Sequence, residues 1–401
     1  MSPIKLHAKT ALIYFLLAAI FGVVLRSFGL LELPVNYKFL IHTHSHIALL
    51  GWVYGVLATI LYKLYLSKLG LDKKYGNIFW FTQLTLVGML LTFPFQGYGV
   101  YSIIFSTLFL FASYRFAWFF FKNVPASFKK NASYKCIRVA LWYLIISSLG
   151  PWALGAIMNT LGAASVWYRL AIYFYLHFLY NGWMMMILFG LFFYVLEQNQ
   201  NELSDKMFRR FFWTVNLGIL LSFFLSALFA HPPRVLNFLG GSGALLQLMA
   251  FGILLKTIKN FGKTFKTSFS LFQKELLRVI MVLLIIKLVF QLLTAFPYFA
   301  HLAATILDFT IGYLHLTFLG VVTLGIFFFL DYFKLIHISR RSYYIYLGSF
   351  LGTESLIFYK AIMAWKGALL FSGYFDLLLI LSAGIPLAIL LLLIGNLKLK
   401  T

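Results

Sequence analysis

The sequence predicts an all-α polytopic membrane protein of twelve transmembrane helices. Three observations carry that expectation. Of 401 residues, 62% are hydrophobic, 20% aromatic and only 11% charged, more apolar surface than a soluble domain of this length can hide. Apolar runs of about 20 residues recur along the whole chain, each long enough to cross a hydrocarbon core as a helix. Basic residues collect in the short stretches after alternate runs, which is the positive-inside pattern.

The first run, near residues 10–28, is too long for a signal peptide and lacks a small-residue cleavage site, so it reads as a span. The others are expected near 38–64, 76–95, 98–121, 136–158, 166–196, 208–230, 236–257, 275–297, 303–331, 342–364 and 372–396. The connections are short, so residues 1–401 are expected to form a single transmembrane domain. No internal repeat is evident.

Orientation follows from Lys and Arg. Lys5 and Lys9 precede the first span, and Lys63, Lys68, Lys73 and Lys74 follow the second. Lys122, Lys129, Lys130, Lys135 and Arg138 follow the fourth, and Lys206, Arg209 and Arg210 the sixth. Lys256, Lys259, Lys263, Lys266, Lys274 and Arg278 follow the eighth, Lys334, Arg340 and Arg341 the tenth, and Lys398 and Lys400 end the chain. The opposite side holds only Arg26, Lys38, Arg169, Arg234 and Lys366. Both termini should therefore be cytoplasmic.

Composition also excludes several classes. The net charge of +23 sits in loops rather than on one soluble face, so the expected partner is the lipid bilayer and not nucleic acid. The single cysteine, Cys136, rules out a disulfide framework, cysteine-ligated iron–sulfur clusters and a CxxCH haem attachment. No GxxxxGK[ST] loop is present, so direct use of ATP is not expected.

The chemistry gathers in the histidines. His42, His44 and His46 open the second span in the run Ile41-His42-Thr43-His44-Ser45-His46-Ile47-Ala48-Leu49-Leu50-Gly51-Trp52. Intramembrane imidazoles are costly without a partner, and metals or haem iron are their commonest partners. On a helix His42 and His46 share a face while His44 points nearly opposite. His177 lies in the sixth span beside Tyr180 and Asn181, His231 closes the seventh before Pro232-Pro233, and His315 lies well inside the tenth. His301 is at the mouth of the tenth. Seven of the nine histidines thus fall toward the outer side, as a shared haem or metal layer would require. The bland alternatives are core histidines bonded to backbone carbonyls and residues at the headgroup level. Lys287 and Glu354 are intramembrane charges that need a partner, and each can supply the other's.

This arrangement resembles the catalytic subunit I of the haem–copper oxidases. That family has twelve helices, cytoplasmic termini, and histidine ligands on helices two, six, seven and ten. The run Asp308-Phe309-Thr310-Ile311-Gly312-Tyr313-Leu314-His315 looks like the D-W-T-I-G-H-x-H run of the C-family oxidases. The resemblance implies a bundle of that type in a bacterial inner membrane. It implies a low-spin, bis-histidine haem b held by His315 and one of His42, His44 and His46. It further implies copper or non-haem iron at His177 with His231 and His44, and reactive roles for His177, Tyr180 and Tyr313. Tyr313 stands where the family has its high-spin haem ligand, so that second haem is either absent or held otherwise. An electron donor, cytochrome c or quinol, or a partner subunit is implied as well. A second resemblance is to NnrS-type haem- and copper-containing membrane proteins, whose H-x-H-E-x-x-x-G run looks like His44-Ser45-His46-Ile47-Ala48-Leu49-Leu50-Gly51 with Ile47 in place of Glu. The expected functions are therefore electron transfer or reduction of oxygen or nitric oxide. A non-catalytic haem- or metal-binding stress or assembly role is the alternative, and a secondary transporter, which would show two homologous halves, comes third.

Overall fold

A computed structural model describes residues 3–201, 203–261 and 268–398. Lys263, Lys266 and Lys400 of the basic loops lie outside the described residues. Within them every regular element is a helix and no strand forms. Eleven helices are long and apolar enough to cross a membrane. They are α1 (Pro3–Ser27), α2 (Tyr37–Leu69), α3 (Asp72–Gln96), α4 (Val100–Asn123), α5 (Ala132–Thr160), α6 (Val166–Gln198), α7 (Asp205–Ala230), α8 (Arg234–Lys259), α9 (Leu271–Leu293), α10 (Leu307–Tyr332) and, after one further helix, α12 (Tyr374–Leu397). The intervening α11 (Arg340–Lys366) has 27 residues but is less apolar, since it carries Glu354, Lys360 and a basic residue at each end.

The helix ends follow local chemistry. The Asn36 side chain caps α2 by accepting from the Phe39 N–H at 3.2 Å. Ser270 and Gln273 form a reciprocal capping box at the start of α9. Gly367, in the left-handed region at φ 64°, ends α11. Several boundaries shift by four or five residues, and at one of them the chain itself breaks. The tenth span does not start near residue 303, because a separate short helix, Pro297–Thr305, comes first. The chain turns at Ile306, whose backbone is extended, before α10 begins. A hydroxyl holds this corner: Thr310 Oγ1 donates across the turn to the Ala303 carbonyl at 2.9 Å, replacing a helix bond that the turn removes.

The helices group into two compact units, one of Met1–Pro125 with Ile326–Thr401 and one of Ala126–Gly325. In the first, α1 packs against α2 and α12, with Phe15 stacked on Trp52 at 4.8 Å. Lys9 Nζ donates to the Asn396 carbonyl and Lys63 Nζ to the Phe333 carbonyl, each at 2.6 Å. In the second, α7 pairs with α8 and α5 with α6. Burial singles out three helices. In their apolar windows α2 and α6 are 83% buried and α10 is 72% buried, while none of the other eight exceeds 50%. These three are the helices that carry His46, His177 and His315.

Candidate functional site

The three most buried helices share one local structure. Each is α-helical up to its histidine and π-helical directly after it. In α2 the change falls between His46 and the π segment Ile47–Tyr54. In α6 it falls between His177 and Phe178–Met184, and in α10 between His315 and Leu316–Thr323. A π turn pairs backbone groups five residues apart, and such turns concentrate at functional sites. A glycine stands five residues after each of these histidines: Gly51, Gly182 and Gly320. No other histidine in the chain has glycine at that distance. Trp52 and Trp183 come next in two copies and Val321 in the third. The chain therefore does contain a repeat, contrary to the expectation from sequence. It escapes notice because the signature is short, widely spaced and embedded in varied apolar residues.

The glycines admit an aromatic ring onto the helix backbone. A Cβ on Gly51 would lie 2.8 Å from Tyr14 of α1, and a Cβ on Gly182 would lie 2.6 Å from Tyr143 of α5. Both are closer than a side chain tolerates. The first two π segments are thus each seated against the preceding helix of their own unit by a Tyr-on-Gly contact.

In the first unit the three histidines of α2 divide as the helical spacing predicts. His42 and His46 face the rings of Phe93 and Tyr98; His46 stacks on Phe93 at 4.5 Å and His42 lies 4.5 Å from Tyr98. His44 points the other way. Its Nδ1 is 2.8 Å from the Ala18 carbonyl oxygen, and its ring lies where Gly22 leaves room. His46 Nδ1 is 2.8 Å from the His42 carbonyl oxygen. A carbonyl only accepts, so Nδ1 carries the proton and Nε2 keeps its lone pair. That Nε2 makes no hydrogen bond among the described residues. A protonated Nδ1 anchored on a carbonyl with an open Nε2 is the state a metal- or haem-ligating imidazole needs. His46 therefore fits an axial haem ligand.

His177, in the second unit, is 1% exposed and committed at both nitrogens. Nε2 donates to the Ile219 carbonyl at 2.9 Å, and Nδ1 accepts from Asn181 Nδ2 and Ser226 Oγ, each at 3.3 Å. Its only lone pair already has two donors on it, so His177 does not fit the expected copper or iron ligand. His231 does not join it. That residue is exposed, in a loop, with φ 51°, because Pro232 and Pro233 stop the helix there. His301 is exposed on the short helix before α10, and His315 is half-buried. Among the described residues, no three His, Cys, Asp or Glu side chains gather as a metal site would need.

The second unit gathers something else. Asn181 Oδ1 accepts a short hydrogen bond from Lys287 Nζ, which also donates to Gln291 Oε1 at 2.6 Å. Tyr313 OH donates to the same Gln291 oxygen at 3.3 Å. The rings of Tyr180 and Tyr313 each lie 5.9 Å from the Lys287 nitrogen. His177, Tyr180 and Tyr313 are therefore brought together, around a buried lysine on α9. The bonds of Lys287 go to two amide oxygens of its own unit and to no carboxylate among the described residues. Sequence reasoning missed Gln291 and Ser226 altogether. The i, i+4 spacing of Lys287 and Gln291, two polar residues on one face of a very apolar helix, was the signal available.

The chain matches no family model and no curated protein sequence.

Proposed function

We propose that this chain is a twelve-helix membrane haem protein of the haem–copper oxidase subunit I type, with α11 as the remaining span, and that its role is electron transfer. It would lie in a bacterial inner membrane with both termini cytoplasmic, taking electrons from cytochrome c, quinol or a partner subunit. One observation carries the reading: the His46 imidazole is anchored through Nδ1 with Nε2 left open. His315 begins the third copy of the signature in its own unit, and it is the sequence resemblance alone that nominates it as a haem ligand. Haem b, when bound, supplies a one-electron couple. The protein's own part is to set the ring plane of His46 through Phe93 and the His42 carbonyl, and to keep water away with a largely buried helix.

A second reading is a catalytic reductase of oxygen or nitric oxide. It needs a metal at His177, and the two donors on its Nδ1 weigh against that. They favour the non-catalytic alternative, of which an NnrS-like binding role is one form.

The test is a reduced-minus-oxidised spectrum of protein purified from a haem-replete host. A low-spin b-type signal is expected in the wild type and in His44→Ala, and its loss in His46→Ala. Wild-type protein free of haem would sink the proposal. Sustained consumption of oxygen or nitric oxide with an artificial donor would instead favour the catalytic reading.

A further inference from the structure

We propose that the Lys287 cluster is a binding site for a small monovalent anion of halide or formate size. The proposal does not depend on haem. Lys287 is 0% exposed, in the apolar helix α9, and has no carboxylate partner among the described residues. A buried charge without a counter-charge costs several kcal/mol even after relaxation, and the two tyrosine ring faces offset only part of it.

The hydrogen-bond inventory points the same way. The ammonium has three N–H bonds, of which two go to Asn181 Oδ1 and Gln291 Oε1. Gln291 Oε1 also takes the Tyr313 hydroxyl, so both of its lone pairs are used, whereas Asn181 Oδ1 accepts from Lys287 alone. Gln291 is 6% exposed, and its Nε2 is buried with no hydrogen-bond partner. His177 has its proton on Ile219 and its lone pair facing Asn181 and Ser226, so it offers no acceptor to Lys287. The cluster thus holds one remaining ammonium N–H and two amide N–H bonds with nothing to receive them. Surplus donors around an uncompensated positive charge are what an anion satisfies, and what neither a cation nor an apolar ligand can.

The experiment uses the full chain in detergent. Thermal unfolding is followed while chloride, bromide or formate replaces gluconate at constant ionic strength. A saturable rise in the midpoint is expected for the wild type, because a ligand of the folded state alone stabilises it by mass action. Lys287→Met should lose the response. Gln291→Glu places a carboxylate beside the ammonium and should be insensitive to anions, with a midpoint near that of the chloride-saturated wild type. Gln291→Glu decides the matter should Lys287→Met fail to fold. Equal wild-type midpoints in chloride and gluconate, or a full wild-type response retained in Gln291→Glu, would overturn the proposal.

Discussion

Three hydrogen bonds determine what the imidazoles of His46 and His177 can do. His46 gives its Nδ1 proton to a carbonyl and keeps Nε2 open, whereas His177 has donors on its only lone pair. The sequence pointed to both residues as ligands and had no means of telling them apart. Its residue types were legible, but the nitrogen each presents depends on carbonyls and amides contributed by tertiary packing. Conversely, the opposed faces of His42 and His46 against His44 follow from helical period alone. A purely structural residue offers a test at this scale. Glu197, near the end of α6, accepts from both the Ser133 N–H, at 2.8 Å, and the Ser133 hydroxyl at the start of α5. Glu197→Ala should lower stability by about 1–2 kcal/mol, since charge-assisted caps are worth that much. Thermal unfolding in detergent reads it, with Glu197→Gln falling between.

The recurring element is a histidine, a π segment and a glycine. A π turn is costly in isolation and persists where packing demands it, here where Tyr14 and Tyr143 lie on Gly51 and Gly182. Gly182→Val should therefore destabilise the protein by about 2–3 kcal/mol through overpacking. Combined with Tyr143→Ala, which removes the obstructing ring, the loss should be smaller than the sum of the two single losses by at least about 1 kcal/mol. Additive effects would mean that the glycine serves some other purpose. Hydropathy revealed where α2, α6 and α10 run but not their π character, because no residue type codes for an i to i+5 turn. The glycine spacing was visible in the letters, and only the structure gives it meaning. The bend at Ile306 was hidden for a related reason: the apolar run continues through it, and the Thr310 hydroxyl makes the break tolerable.

For the molecule as a whole, eleven of the twelve expected spans meet the length and hydropathy of a membrane crossing. Hydropathy reports a transfer free energy summed over some twenty residues, so it survives local irregularity; Glu354 and Lys360 dilute it in α11. If α11 also crosses, the number of crossings is even and both ends share a side. Fluorescent-protein fusions at the N- and C-termini should then both glow, and C-terminal alkaline phosphatase should stay inactive. An active C-terminal phosphatase would leave α11 out of the membrane. The division into two compact units was not legible, because the basic loop at Ala126 is like those after other spans and Gly325 lies inside an unbroken apolar run.

The Tyr-on-Gly contacts also bear on how the protein is made. Each joins helices that are consecutive in the chain, Tyr14 with Gly51 and Tyr143 with Gly182. Contacts so local in sequence form early, and a chain emerging from the ribosome folds its N-terminal parts first. The α1–α2 pair can therefore close as a hairpin while the ribosome is still translating the later helices. A bulky residue at Gly51 would strike at that moment of biogenesis, and its signature would be low abundance through quality-control proteolysis rather than a full yield of inactive protein.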